Sequence, residues 1–278
     1  MHALRGPALT FRGDPRLDGV ANAAVYESDA LILIERGKIA AFGAYAALEK
    51  QIPVGASVTR VRDGLILPGF ADCHTHYPQT GIVGAYGSGL LDWLEAHTFP
   101  AEEAFADEAA CRSAARLFLD ECLRHGTTTA AVYCTVHEHS ADAFFAEAER
   151  RNLCMIAGNS LMDRNGPAAL RLSIDEAVAR SSRLIGRWHG RGRALYAVTP
   201  RYAPACSPAM LKACATLWHI RDGIVLQSHL SETAAEVAWA RKLLPKARSY
   251  FDIYERHGLA GPGAIYGHGI HLSEDERA

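Results

Sequence analysis

Residues 66–79 read Ile-Leu-Pro-Gly-Phe-Ala-Asp-Cys-His-Thr-His-Tyr-Pro-Gln. The stretch opens as a β-prone apolar run, 66–73, introduced by Pro68-Gly69, and ends on His74 and His76 just after the acidic Asp72. Two positions apart on an extended chain, both imidazoles project from the same face. At the C-terminal end of a parallel barrel strand that face looks into the barrel mouth, where such enzymes keep their catalytic groups. An H-x-H pair elsewhere is more often a surface or hydrogen-bonded pair of histidines. Here its placement suits two ligands of one metal ion.

The pattern around this stretch supports the barrel. Further β-prone runs at 127–134, 154–160, 195–199, 224–228 and 264–266 alternate with segments of helical period. The clearest of these is 107–125, where Cys111, Ala114, Ala115, Leu117, Phe118, Cys122 and Leu123 make a broad apolar stripe that ends at Gly126. Others fall at 141–151, 174–189, 208–221 and 233–244. Strand and helix in strict succession specify a parallel sheet with crossover helices. Six β/α units exceed half of a doubly wound fold. They suit an α/β chain with a TIM-like (β/α)8 barrel of about 250 residues, its last two units missing. Upstream, 30–43 has two apolar runs around Arg36-Gly37-Lys38, a hairpin signal, and 58–62 with 64–70 completes a small antiparallel unit. The expected domains are therefore 1–65, small and β-rich, and 66–278, a barrel that stops after its sixth strand.

Composition narrows the function classes. A chain of 278 residues with 49% hydrophobic content can bury a substantial core. Its 29 basic and 31 acidic side chains give no field to hold nucleic acid or an anionic membrane. No apolar run approaches the roughly 18 residues a spanning helix needs, and the first 15 residues lack the order of a secretory signal. Cytoplasmic residence is the expectation. The seven cysteines are scattered, without a C-x-x-C pair, and read as reduced thiols, mostly core filler. That also excludes the zinc deaminases built on H-x-E and P-C-x-x-C.

Two more histidines repeat the logic of the first pair. His229 in IVLQSHLSE and His268 in AIYGHG stand at the C-terminal ends of later strands. Glu232 follows His229 by three residues, close enough to exchange a proton with a metal-held water. A carboxylate there also fits a helix start, but beside the histidines the catalytic reading is stronger. Imidazoles plus a carboxylate with an open position suit Zn²⁺, and Fe or Mn would accept similar ligands.

The segments PGFADCHTHYPQT, LLDWLEAHTFPAEEAF, HGTTTAAVYCTVH, LMDRNGP, YAVTPRYAP, QSHLSET and YGHGIHLSEDE occur in the order seen in guanine deaminases of the amidohydrolase superfamily, which the chain resembles from about Leu31 onward. The histidines indicate the superfamily. Tyr77-Pro78-Gln79, Thr98-Phe99-Pro100-Ala101-Glu102 and Thr199-Pro200-Arg201 point to guanine. The resemblance implies that His74, His76 and His229 hold one zinc per chain, that Glu232 shuttles protons, and that His268 polarises the attacking water or the carbon bearing the amine. It further implies that Gln79 and Arg201 read the purine with Tyr202 beside them, an amide and a guanidinium being suited to a ring edge and to O6. Trp93, Phe99 and Tyr202 are stacking or core residues on this reading. The implied reaction is hydrolysis of guanine to xanthine and ammonia by a zinc-activated water, in a homodimer when complete. The small domain would be a β-sandwich completed by C-terminal strands. Another deaminase or chlorohydrolase of the superfamily, or a non-catalytic relative, are the alternatives.

Two departures stand out. Tyr202 replaces the usual phenylalanine. The family's further ligand, an aspartate in a G-T-D segment closing the eighth strand, has no counterpart after His268. The expectation is a fragment or truncated product.

Overall fold

The computed structural model describes residues 1–277, which form two compact units, 1–69 and 70–277. In the first, β1 (His2–Phe11), β2 (Ala24–Glu35), β3 (Lys38–Ala44) and β4 (Ser57–Arg60) make one sheet in the order β3-β2-β1-β4. The hairpin forms where expected: Glu35 pairs with Lys38, and Arg36 and Gly37 both take positive φ, 50° and 75°. That combination matches the twist of the flanking strands.

Two expectations are corrected here. The unit is mixed, not antiparallel, because β4 runs parallel to β1. Broken alternation across Gly6 and Pro7 conceals β1 in the sequence; Pro7 has no N–H for the ladder, and the register slips between Gly6 and Ala8. Within residues 1–69 the strands form a single sheet with apolar side chains on both faces. Leu31 and Leu33 pack with Tyr45, Leu48 and Ile52, and Ala30 and Ile32 with Phe42 and Ile66. Ile66 bridges to Ala8, so the barrel strand expected from residue 66 starts instead at Phe70.

In the second unit the strands are β5 (Phe70–His76), β6 (Thr127–Tyr133), β7 (Cys154–Gly158), β8 (Ser160–Leu161), β9 (Leu195–Pro200), β10 (Val225–Leu230) and β11 (Ala264–His268). Their order is β11-β10-β9-β7-β6-β5, with β8 beside β9, and every pairing is parallel. Strands covered on both faces need near-continuous apolar runs. Ala130, Ala131 and Val132 in β6 and Tyr196, Ala197 and Val198 in β9 supply them, all buried. The end strands approach each other, with the Gly267 backbone against the His74 ring, and the sheet is a nearly closed (β/α) barrel of the TIM type.

The crossover helices have legible boundaries. Asp107 caps Glu108–Arg124 by accepting from the Ala109 N–H, and Gly126 at φ 80° follows its end. Ile174–Trp188 and Ala234–Leu243 each begin with a capping box, Ser173 with Glu176 and Thr233 with Glu236. The stripe on Glu108–Arg124 is narrower than expected. Cys111, Ala115 and Leu119, one turn apart, are buried, while Leu117 and Leu123 are 50% and 44% exposed. Unforeseen elements are β8, the helix Tyr250–Arg256 and a helical run from Leu90 to Glu103. All seven cysteines are unpaired. No helix among the described residues is long and apolar enough to cross a membrane.

Candidate active site

Parallel strands deliver the four histidines to one end of the barrel. His76 and His268 close β5 and β11, and His229 is the penultimate residue of β10. One ring nitrogen from each of His74, His76 and His229 lies within 4.8 Å of the others. His268 belongs to the same cluster of rings, 4.8 Å from His74 and stacked on His229 at 5.5 Å, without being part of that donor set.

The donor chemistry fits a metal ion. His229 Nδ1 lies 2.5 Å from the Arg201 carbonyl oxygen, which can only accept. The proton therefore sits on Nδ1, and Nε2 presents a lone pair. His76 Nε2 is 2.9 Å from that lone pair, while His76 Nδ1 is buried without a protein partner. Burial and the neighbouring imidazoles hold His76 and His229 well below the usual histidine range, and burial with His268 nearby takes His74 down to about 4. At neutral pH all three rings are neutral, the state in which imidazole is a ligand.

Close packing fixes these rings. The buried Tyr133 ring stacks on His76 at 4.4 Å and meets His229 at 4.5 Å and His74 at 5.1 Å. Gly267 leaves the space that His74 fills: a Cβ there would lie 2.3 Å from Cε1 and 2.4 Å from Nδ1. Gly267→Ala is therefore expected to displace the His74 ring and weaken metal binding about ten- to a hundredfold, with the far-UV circular dichroism unchanged. Wild-type affinity in a zinc titration would show that the ring does not depend on this gap.

Glu232 stands on a turn built for it. Ser231 takes φ 50°, a conformation costly for a residue with a Cβ, and His268 does the same at φ 73°. The buried Glu236 accepts from the Glu232 N–H at 2.8 Å and from the Tyr250 hydroxyl at 2.6 Å. Glu232 Oε2 lies 3.3 Å from His268 Nε2. Burial, and the Glu236 charge behind it, raise the Glu232 carboxyl to about 7. Burial also lowers His268.

A cavity of about 270 Å³ opens over this cluster. Gln79, Arg201 and Tyr202 all line it, with Leu90, Trp93 and Leu94 on another wall. The Gln79 amide has no hydrogen-bond partner among the described residues, whereas Arg201 is held by Glu102, with Nη1 at 2.6 and 2.8 Å from its two oxygens. Phe99 does not line the cavity; its ring lies under the guanidinium, 5.7 Å from Cζ. The run from Leu90 to Glu103 carries Trp93, Phe99 and Glu102 on one helical segment with a wide turn in its middle. There Pro100 can give no N–H, and the Phe99 N–H bonds Leu94 O, five residues back.

A TIM-type barrel with strand-end histidines around one pocket defines a class of hydrolase, and the model of the amidohydrolase family matches residues 65–278. The chain belongs to the amidohydrolase family. Within it the chain is similar to guanine deaminase of Escherichia coli, 42% identical over 257 residues that make up 92% of this chain and 58% of that protein. A probable guanine deaminase of Deinococcus radiodurans is 39% identical over 90% of this chain and 58% of its own length. Solved structures agree: E. coli guanine deaminase superposes with TM-score 0.95 at 40% identity over 99% of this chain and 64% of that one. Guanine deaminase from Bradyrhizobium japonicum superposes with TM-score 0.94 at 37% identity, over 99% of this chain and 60% of that one. The chain thus spans under two thirds of the length of these relatives.

Sequence reading missed Tyr133, Glu236 and Gly267 as parts of the site, and singled out Glu102 only within its segment, without a role of its own. Only Glu236 had a local signal, the Thr-x-x-Glu spacing of a capping box. Nothing local ties Glu102 to an arginine 99 residues away.

Proposed function

We propose that this site hydrolyses guanine to xanthine and ammonia. The observation that carries the reading is the convergence of three neutral imidazoles beneath a cavity lined by Glu232, His268, Gln79 and Arg201. Likeness to guanine deaminases supports the choice of purine.

His74, His76 and His229 would hold one zinc ion, with Nε2 of His229 aimed by the Arg201 carbonyl. Zinc, when bound, would supply Lewis-acid activation of a water at the pocket floor. Glu232, poised near neutrality, takes one proton from that water and gives it to the ring nitrogen beside C2, then takes the second from the new C2 hydroxyl and gives it to the departing amine. As the new C2–O bond forms and the C2–N bond breaks, the 2-amino group leaves as ammonia and C2 becomes a carbonyl. His268, beside Glu232 Oε2, orients the water and steadies the charge that passes through the carboxylate. Gln79 bonds the ring edge, Arg201 donates to O6, and Trp93 and Tyr202 wall the ring. The Tyr202 hydroxyl, in place of the usual phenylalanine edge, leaves the ring contact intact.

The test is a purine panel with the zinc-loaded protein, scoring xanthine by chromatography and ammonia by a coupled assay. Equal amounts of both from guanine, with adenine and chlorotriazines untouched, are expected. Turnover of one of those instead would move the protein to another branch of the family, and no turnover of any would sink the reading.

A further inference from the structure

The main chain of Arg201 is fixed on both sides. Its N–H bonds the Leu161 carbonyl at 3.0 Å, and its own carbonyl accepts from both the main chain and the ring of His229. The side chain then enters the cavity wall, where the residue is only 2% exposed. A guanidinium has five donors in a planar fork, and so deep in the protein something must set where they point. Glu102, 1% exposed, is the group in reach. Its two oxygens both fall on Nη1. A fork-to-fork pair would engage two guanidinium nitrogens; this end-on contact engages one, and Nε and Nη2 find no acceptor among the described residues. The partnership also cancels the charge of the arginine, so the pocket presents donors without a net charge that would favour an anion. Burial opposes that charge, and Glu102 restores it, holding the guanidinium above its usual value.

We propose that Glu102 is the specificity-determining positioning residue of this pocket: by gripping Arg201 at Nη1 alone, it turns the remaining guanidinium donors to the O6 carbonyl of a neutral 6-oxopurine. The proposal rests on the reading of Arg201 as the O6 contact. Glu102 itself touches no substrate. Its position follows from the wide turn ahead of Pro100, on the same segment that slides Phe99 beneath the guanidinium.

The test compares guanine with 2-aminopurine, which keeps the 2-amino group and lacks O6. Equilibrium titrations are made on the zinc-loaded chain in the Glu232→Gln background, so that neither purine is consumed. The parent should favour guanine by at least about thirtyfold, as expected of a site with buried donors built for an oxygen. E102Q should bring that preference to within about threefold by weakening guanine and sparing 2-aminopurine. R201M should do the same, and the double variant E102Q/R201M, which leaves no buried charge unpaired, should fall no further than R201M. Should E102Q not fold, E102D, with the charge kept and the reach shortened, takes its place and should lose about tenfold of the preference. Equal weakening of both purines, or an unchanged preference, assigns Glu102 a structural role and overturns the proposal. So does a double variant that falls below R201M by the full E102Q factor. A preference that survives R201M overturns the reading of Arg201 instead.

Discussion

Replacing His229 with alanine is expected to cost the protein its metal. Three imidazole nitrogens converge within 4.8 Å, and removing one leaves two ligands on a single strand, too few for a closed zinc site. The loss goes beyond one donor. His76 Nε2 loses its 2.9 Å neighbour, and the Arg201 carbonyl loses the Nδ1–H it accepts from. Elemental analysis after dialysis should find zinc reduced from about one per chain to less than about a tenth, with guanine conversion at background. The barrel should survive, because His229 lies at its mouth and the main cluster of apolar side chains does not include it. Far-UV circular dichroism checks that point. A His229→Ala protein that keeps its full zinc content would refute the ligand set.

Replacing Glu232 with glutamine should leave guanine binding and remove turnover. The amide keeps the shape and the place beside His268, but it cannot carry a proton. Burial and the Glu236 charge raise the native carboxyl above the ordinary carboxylate range, to about 7, which suits it both to take and to give a proton. General acid–base catalysis contributes about 10²–10⁴ in rate, so kcat should fall by at least about a hundredfold with KM within about threefold of the parent. Parallel falls in kcat and kcat/KM mark an interaction made only in the transition state. The opposite split, KM raised at constant kcat, would make Glu232 a binding group and end the proton-shuttle mechanism.

The sequence displays the barrel well because its signals are local. Each strand is a short apolar run, each crossover helix has a capping residue such as Asp107, Ser173 or Thr233, and His74 and His76 declare a shared face through a two-residue spacing. His229, His268 and Glu232 are legible because parallel strands bring their C-terminal ends together, so place along the strand already specifies place in the molecule. What escapes is non-local or breaks a pattern. β1 is interrupted by Gly6 and Pro7, β4 joins it across more than 50 residues of chain, and its parallel direction has no local cue. Leu117 and Leu123 sit at helical spacing yet outside the arc that meets the sheet. The Glu102–Arg201 pair and the Gly267 gap arise only when distant segments meet.

The Arg201 carbonyl, which locks the tautomer of His229, is a main-chain atom. No side-chain substitution at position 201 deletes it. On the proposed reading of Arg201, a side-chain substitution there would change which purine the pocket recognises while the proton on His229 Nδ1 keeps its acceptor, so that selectivity and the state of the metal-facing nitrogen are separable within one residue.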